Sequence, residues 1–230
     1  MADNIVFIVT IATSLMLILL LFYMQRLLRT SIVDLWETES IETPIALAIG
    51  LVVLAIILSL INIGVVSSPI PISMNVTGLL IPLAFSIYIV LSKKVKAKVA
   101  LVSILTVSAI TFPLASVTMS NISIGVPLWF IPVSVSAILG YFLAREREMM
   151  SAASLAYLSA SIGMLVGGDL VNIPRFISSG GSSLTLGGNG LMDFVFLAGP
   201  FSIALLWGAQ GALTVIKKRH EFRTLTTKGS

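Results

Sequence analysis

An all-α, polytopic membrane helix bundle of about seven spans is the fold class this sequence predicts, on three observations. Hydrophobic residues make up 57% of the chain and charged residues only 10%, with a mean hydropathy of +1.07, a balance outside the soluble globular range. Apolar runs long enough to cross about 30 Å of hydrocarbon, at about 1.5 Å per helical residue, recur along the chain. Lys and Arg, 14 in all, fall almost entirely in alternate connectors.

Taken in order, the runs lie at 5–25, 44–66, 76–92, 97–118, 126–144, 150–168 and 190–213. The first follows MADN, with an acid and no basic residue, and no small-residue cleavage site comes after it, so it reads as an uncleaved helix. The third is short and follows SSPIPISMN, whose two prolines make a poor helix interior. That connector, 67–75, either lies at the interface or re-enters as non-helical chain, and counts of six or eight spans stay open on that account. Small residues at Gly163-x-x-x-Gly167 and Gly208-x-x-Gly211 predict close helix packing.

The basic residues set direction. Arg26 and Arg29 follow the first run, Lys93, Lys94, Lys96 and Lys98 the third, Arg145 and Arg147 the fifth, and Lys217, Lys218, Arg219, Arg223 and Lys228 the seventh. Arg175 alone falls on the other side, so a seven-span chain has its N-terminus out and C-terminus in. The predicted organisation is one transmembrane helical domain, 1–216, and a basic cytoplasmic tail, 217–230, in an integral membrane protein of the cell membrane. Membrane lipids, and other membrane proteins, are the expected partners. The tail's charges meet headgroups, and no nucleic-acid role is expected.

Several chemistries are excluded. Without cysteine, and with the single histidine His220 in the tail, no thiolate nucleophile and no Cys or His metal site is predicted. The glycines between 180 and 190 match neither G-x-G-x-x-G nor G-K-[ST], and no G-x-S-x-G elbow occurs. No cofactor is specified.

What remains is polar and gathers on the outer side. Asn62 closes the second run, Pro69, Pro71 and Asn75 bracket the entry to the third, and Pro113 closes the fourth. Asn121 and Pro127 precede the fifth, Asp169, Asn172 and Pro174 end the sixth, and Asn189 and Asp193 open the seventh. An acid in hydrocarbon must be neutralised, find a partner or face water, so Asp169 and Asp193 are the candidate functional acids. Asp193 also reads as an interfacial or helix-capping residue, favoured by free amides at a helix start. Asp169 ends a helix, where negative charge meets the wrong pole. Asn62, Asn172 and Asn189 either cap backbone groups or present amides to a ligand. The glycine- and serine-rich connector 175–189 reads as a lid, a re-entrant turn or a loose loop.

Smaller features have plainer readings. Trp36 and Trp129 read as interfacial anchors. Asp34, Glu37, Glu39 and Glu42 form an acidic inner segment suited to docking a partner. Asn75-Val76-Thr77 and Asn121-Ile122-Ser123 match a glycosylation acceptor.

Four segments in order, MNVTGLLIPLAFSIYIVL (74–91), ISIGVPLWFIPVSVSAILGYFLA (122–144), SIGMLVGGDLVNIP (161–174) and LTLGGNGLMDFVFLAG (184–199), resemble the membrane family known as domain of unknown function 1614. The resemblance covers 55–213. The family's Gly-Ala-Asp-Leu-Leu-Asn-Leu stands here as Gly167-Gly168-Asp169-Leu170-Val171-Asn172-Ile173. Its Gly-Gly-Ala-Gly-Thr-Phe-Asp-Gly stands as Gly187-Gly188-Asn189-Gly190-Leu191-Met192-Asp193-Phe194, and its Asn-Ile-Pro as Asn62-Ile63-Gly64. Both acids align, and Phe194 in place of glycine narrows the space beside Asp193. The resemblance implies membership but no activity. Gly190-Leu191-Met192-Asp193 is also similar to the Gly-x-Gly-Asp segment of presenilin-type intramembrane aspartyl proteases, with Asp169 as the second carboxylate. Met192 replaces the second glycine there, no tyrosine precedes Asp169, and no Pro-Ala-Leu segment follows.

Three functions follow as expectations, and whether the chain is an enzyme stays open. The first is transport or binding of a small solute or cation in an outward cavity of Asn62, Asp169, Asn172, Asn189 and Asp193. The second is a structural or accessory subunit of a membrane complex. The third is peptide hydrolysis by Asp169 and Asp193.

Overall fold

The computed structural model describes residues 53–125, 127–144 and 148–228. The first predicted span, the start of the second, the acidic segment with Trp36, and Arg145 and Arg147 lie outside them. The described chain is mostly helical. Residues 53–59 are helical, and five further helices of ten or more residues or their short extensions follow. These are α1 (Ile81–Leu91, entered through a π-turn at Val76–Leu80), α2 (Ala97–Thr111), α3 (Phe130–Leu143), α4 (Met149–Met164) and, after the short α5 (Ile173–Ser178), α6 (Phe194–Lys228).

Three apolar segments are long enough to cross a membrane: Ala97–Leu114, Met149–Ser178 and Phe194–Gly211. Val76–Leu91 and Phe130–Leu143 are shorter apolar helices. The segment led by α4 is the central one. Ser151 to Ser161 is buried without interruption, so the helix has no polar face to turn outward. Its Ser and Ala side chains let α2, α3 and α6 approach closely. A Cβ on Gly163 would stand 2.6 Å from Val107 of α2, and one on Gly167 would overlap the Ser108 backbone. On α6, Gly199 makes room for the Tyr157 ring. Gly208 and Gly211 meet nothing within 4 Å, so the packing role expected of that pair is absent from the described chain. Leu101, Val102 and Leu105 of α2 and Ile138, Phe142 and Leu143 of α3 are exposed. An exposed apolar girdle around a buried Ser- and Ala-rich centre suits lipid as solvent.

The fold is not all-α, because extended chain occupies the end of the bundle where the polar residues collect. Strands β1 (Asn62–Val66), β2 (Ile72–Asn75) and β5 (Leu184–Leu186) form a sheet in the order β1-β2-β5, while β3 (Ala115–Val117) and β4 (Ile122–Ile124) form a hairpin. β1 and β2 are antiparallel with an irregularity between Gly64 and Val66. β2 and β5 are parallel, Ser73 opposite Thr185, with their hydroxyls 2.8 Å apart.

Expected helix therefore gives way to strand at 62–66 and 115–117. The first change has a visible cause. Asn75 is fully buried, and its Nδ2 donates to the Ser59 carbonyl (2.7 Å), the Ile61 carbonyl (3.4 Å) and Asn62 Oδ1 (2.9 Å). Its Oδ1 accepts from the Gly78 amide (2.8 Å). One side chain thus closes the end of the first described helix and opens the π-turn. At the second, Pro113 cannot donate to a continuing helix, and the chain leaves through a 3-10 turn, Phe112–Leu114.

Two smaller expectations are corrected here. Asn75 is packed away with its amide engaged, which rules it out as a glycan acceptor in the folded chain. Trp129 is no exposed interfacial anchor: it is buried, stacked on Phe130 at 4.2 Å and edge-on to Phe201 at 4.7 Å between ring centres.

Candidate functional site

Both candidate acids stand at helix ends, and the ends differ in kind. α4 does not stop cleanly at Met164. It widens into a π-turn at Leu165–Asp169, tightens into a 3-10 turn at Leu170–Asn172, and resumes as α5 under Pro174. A π-turn following an α-helix leaves carbonyls out of register with their usual donors. Asn172, fully buried, supplies the replacement: its Nδ2 donates to the carbonyls of Gly167 and Gly168, each at 2.9 Å. Its Oδ1 accepts from Arg175 Nη1 at 2.7 Å. Asn172 is therefore spent on the backbone, the capping alternative of the two open to it.

Asp169, the last residue of the π-turn, is half-buried, and no described residue makes a hydrogen bond or ion pair with its carboxylate. Asp193 is buried just ahead of α6. Its Oδ1 accepts from the Val195 amide at 3.0 Å and its Oδ2 from the Asn189 amide at 3.4 Å, and its own carbonyl accepts from Leu197 at 2.9 Å. This is an N-cap with a second amide added from the preceding turn, worth about 1 kcal/mol in typical helices.

Asp169 and Asp193 line the same cavity, of about 20 Å³, with Asn189, Gly168, Phe194 and Ser123 among its other walls. That volume is about what one water molecule needs. Phe194 occupies space beside Asp193. Asn62 does not share the cavity. It lies on β1, paired with Asn75. The five candidate residues thus separate into a cavity group, Asp169, Asn189 and Asp193, and two backbone-holding sites, Asn62 with Asn75 and Asn172 with Arg175.

The connector between the acids is packed against the rest of the chain, not loose. Leu184 and Leu186 of β5 are buried with Phe176, whose ring lies where a Cβ on Gly181 would be. Gly187 has a φ of +68° and presses its backbone directly on Gly78 and Leu79 of the π-turn before α1. The left-handed conformation and the bare backbone contact both require glycine there. This docking fixes the turn that delivers the Asn189 amide to Asp193. The Gly78 to Gly187 contact was hidden in sequence, since only the pairing of two distant chain segments explains it.

Apolar helices around a buried, hydroxyl-lined centre define an integral, multi-span membrane protein. The family model described as a protein of unknown function, DUF1614, matches residues 28–205, and the chain belongs to that family. No curated protein and no solved structure gives a match. Nothing in these comparisons points to presenilin-type proteases.

Proposed function

We propose that this chain binds one small cation, a proton or a monovalent ion, between Asp169 and Asp193 and carries it across the bilayer. The observation behind the reading is the cavity of about 20 Å³ that Asp169 and Asp193 line together. Two acids facing a space of that size repel unless a positive charge lies between them. The space suits a proton on water or a bare monovalent ion and has no room for an extended peptide, which argues against hydrolysis. Among the described residues no third acid or histidine joins them, so the donor set is poor for a divalent metal.

The helix ends support a division of labour. Asp193 is held by amides at the start of α6, where the helix dipole favours its charge. Asp169 lies beyond the carboxyl end of α4, with no donor among the described residues, and is the acid that exchanges the cation. Helices broken at an ion site are the usual way for membrane carriers to expose backbone to a cargo. In this reading seven crossings, N-terminus out and C-terminus in, put the pair toward the outer face of the cell membrane.

The test is flux into proteoliposomes containing the full chain, followed with an interior pH dye and with monovalent-ion gradients. Asp169→Asn is expected to lower flux at least tenfold with unchanged incorporation, and Asp193→Asn, which keeps a capping oxygen, to lower it less. No flux from the wild type, or equal flux from Asp169→Asn, would defeat transport and leave the accessory-subunit reading.

A further inference from the structure

A second site lies apart from the acids, between β3 and α5. An open groove of about 480 Å³ is lined by Val117, Pro174, Arg175, Ser178 and Ser179. Arg175 is exposed, yet its guanidinium is held twice: Nη1 donates to Asn172 Oδ1, and the group stands 5.7 Å over the Phe112 ring. Among the described residues no carboxylate pairs with it. A guanidinium has five N–H donors, so most of them are left to face the groove with the charge uncompensated. Such a fork matches the oxygens of a phosphate.

The serines add a different demand. Ser178 Oγ donates to the Pro174 carbonyl at 2.9 Å, and Ser179 Oγ to the Phe176 carbonyl at 2.8 Å. Their protons are used, and what each oxygen still offers is acceptance. The groove therefore pairs a phosphate-seeking cation with acceptors that seek an N–H or O–H donor. Its depth is informative as well. The candidate span Met149–Ser178 ends on the groove at Ser178, and Ala97–Leu114 ends shortly before Val117. Phe112, under the guanidinium, is part exposed and offers apolar surface at the same level.

We infer that this groove binds the headgroup of a phospholipid whose phosphodiester carries a hydrogen-bond-donating terminus, ethanolamine or glycerol, with Arg175 on the phosphate and Ser178 and Ser179 accepting from the terminus. Choline, which has no donor, fits the phosphate half alone. The inference is independent of the cation reading, because it uses neither acid.

The experiment measures thermal stabilisation of the delipidated full chain in detergent against concentration of short-chain phosphatidylethanolamine, phosphatidylglycerol and phosphatidylcholine, and of inorganic phosphate. The ethanolamine and glycerol lipids should half-saturate at concentrations severalfold below the choline lipid. Arg175→Gln should raise those concentrations about tenfold or more, the usual scale for losing a charge-assisted hydrogen bond. Because Arg175 also holds Asn172, the double variant Ser178→Ala, Ser179→Ala provides a check that leaves that bond in place: it should bind all three lipids as the choline lipid is bound and lose the preference over choline. Equal response to all three lipids, an unchanged preference in the double variant, or full stabilisation by inorganic phosphate alone would overturn the assignment, the last in favour of a free anion.

Discussion

Asp169 and Asp193 line one cavity, yet the two regions that carry them are built on opposite rules. Around Asp193 the backbone donates: a helix begins, and the Val195 and Asn189 amides converge on the carboxylate. Around Asp169 the backbone accepts: a helix unwinds, and Asn172 must bring donors for the carbonyls of Gly167 and Gly168. A carboxylate completes the first arrangement and adds nothing to the second. The same residue type is thus structural support on one wall and an unspent group on the other.

Substitutions at each wall test how far that contrast reaches. The largest effect is expected from Gly167→Val, since its side chain would overlap the Ser108 backbone and only separation of α4 from α2 relieves that. A loss of several kcal/mol, seen as little folded protein in a detergent size-exclusion profile, follows from overpacking against backbone. Asn172→Ala leaves two buried carbonyls without donors and should cost about 2 kcal/mol, read as a lowered melting temperature. Asp193→Ala should cost about 1 kcal/mol as a lost N-cap. Asp169→Ala should cost under about 0.5 kcal/mol, because no described partner is lost. Equal destabilisation by the two acid variants would break the contrast. Gly208→Ala should act in the opposite direction: an added methyl meets nothing there, and better helix propensity should stabilise α6 by up to about 1 kcal/mol. A loss of stability there would instead reveal a neighbour on that face.

Legibility followed the range of the interactions. Composition and run length were enough for a membrane helical class, because hydrophobicity acts residue by residue. Gly163 and Gly167 were readable as packing residues, since their spacing is local, while Gly208 and Gly211 meet no neighbour among the described residues. The sheets were not legible: Asn62–Val66 is as apolar as a helix end, and only pairing with Ile72–Asn75 and the reach of Asn75 decide its state. For the candidate acids, the sequence marked both positions, and the cavity joining them depends on Gly187 meeting Gly78 across the chain. Asn75, read as one more outer polar residue, is a buried fastening, and Asn62 pairs with it away from the acids.

The Gly78 to Gly187 junction has a consequence for biosynthesis. Membrane chains are made from the N-terminus onward, and the segment carrying Gly187 is followed at once by the apolar helix α6. While α1 to α4 are already in place, Gly78 has no counterpart, and Asp169 has neither the Asn189 turn nor Asp193 across from it. The cavity is completed only when α6 is in place and the turn ahead of it seats on Gly78 and Leu79. A protein cut short before Gly187 would keep the sequence of α1 to α5 and lack both the Asn189 turn and the acid that complete the cavity.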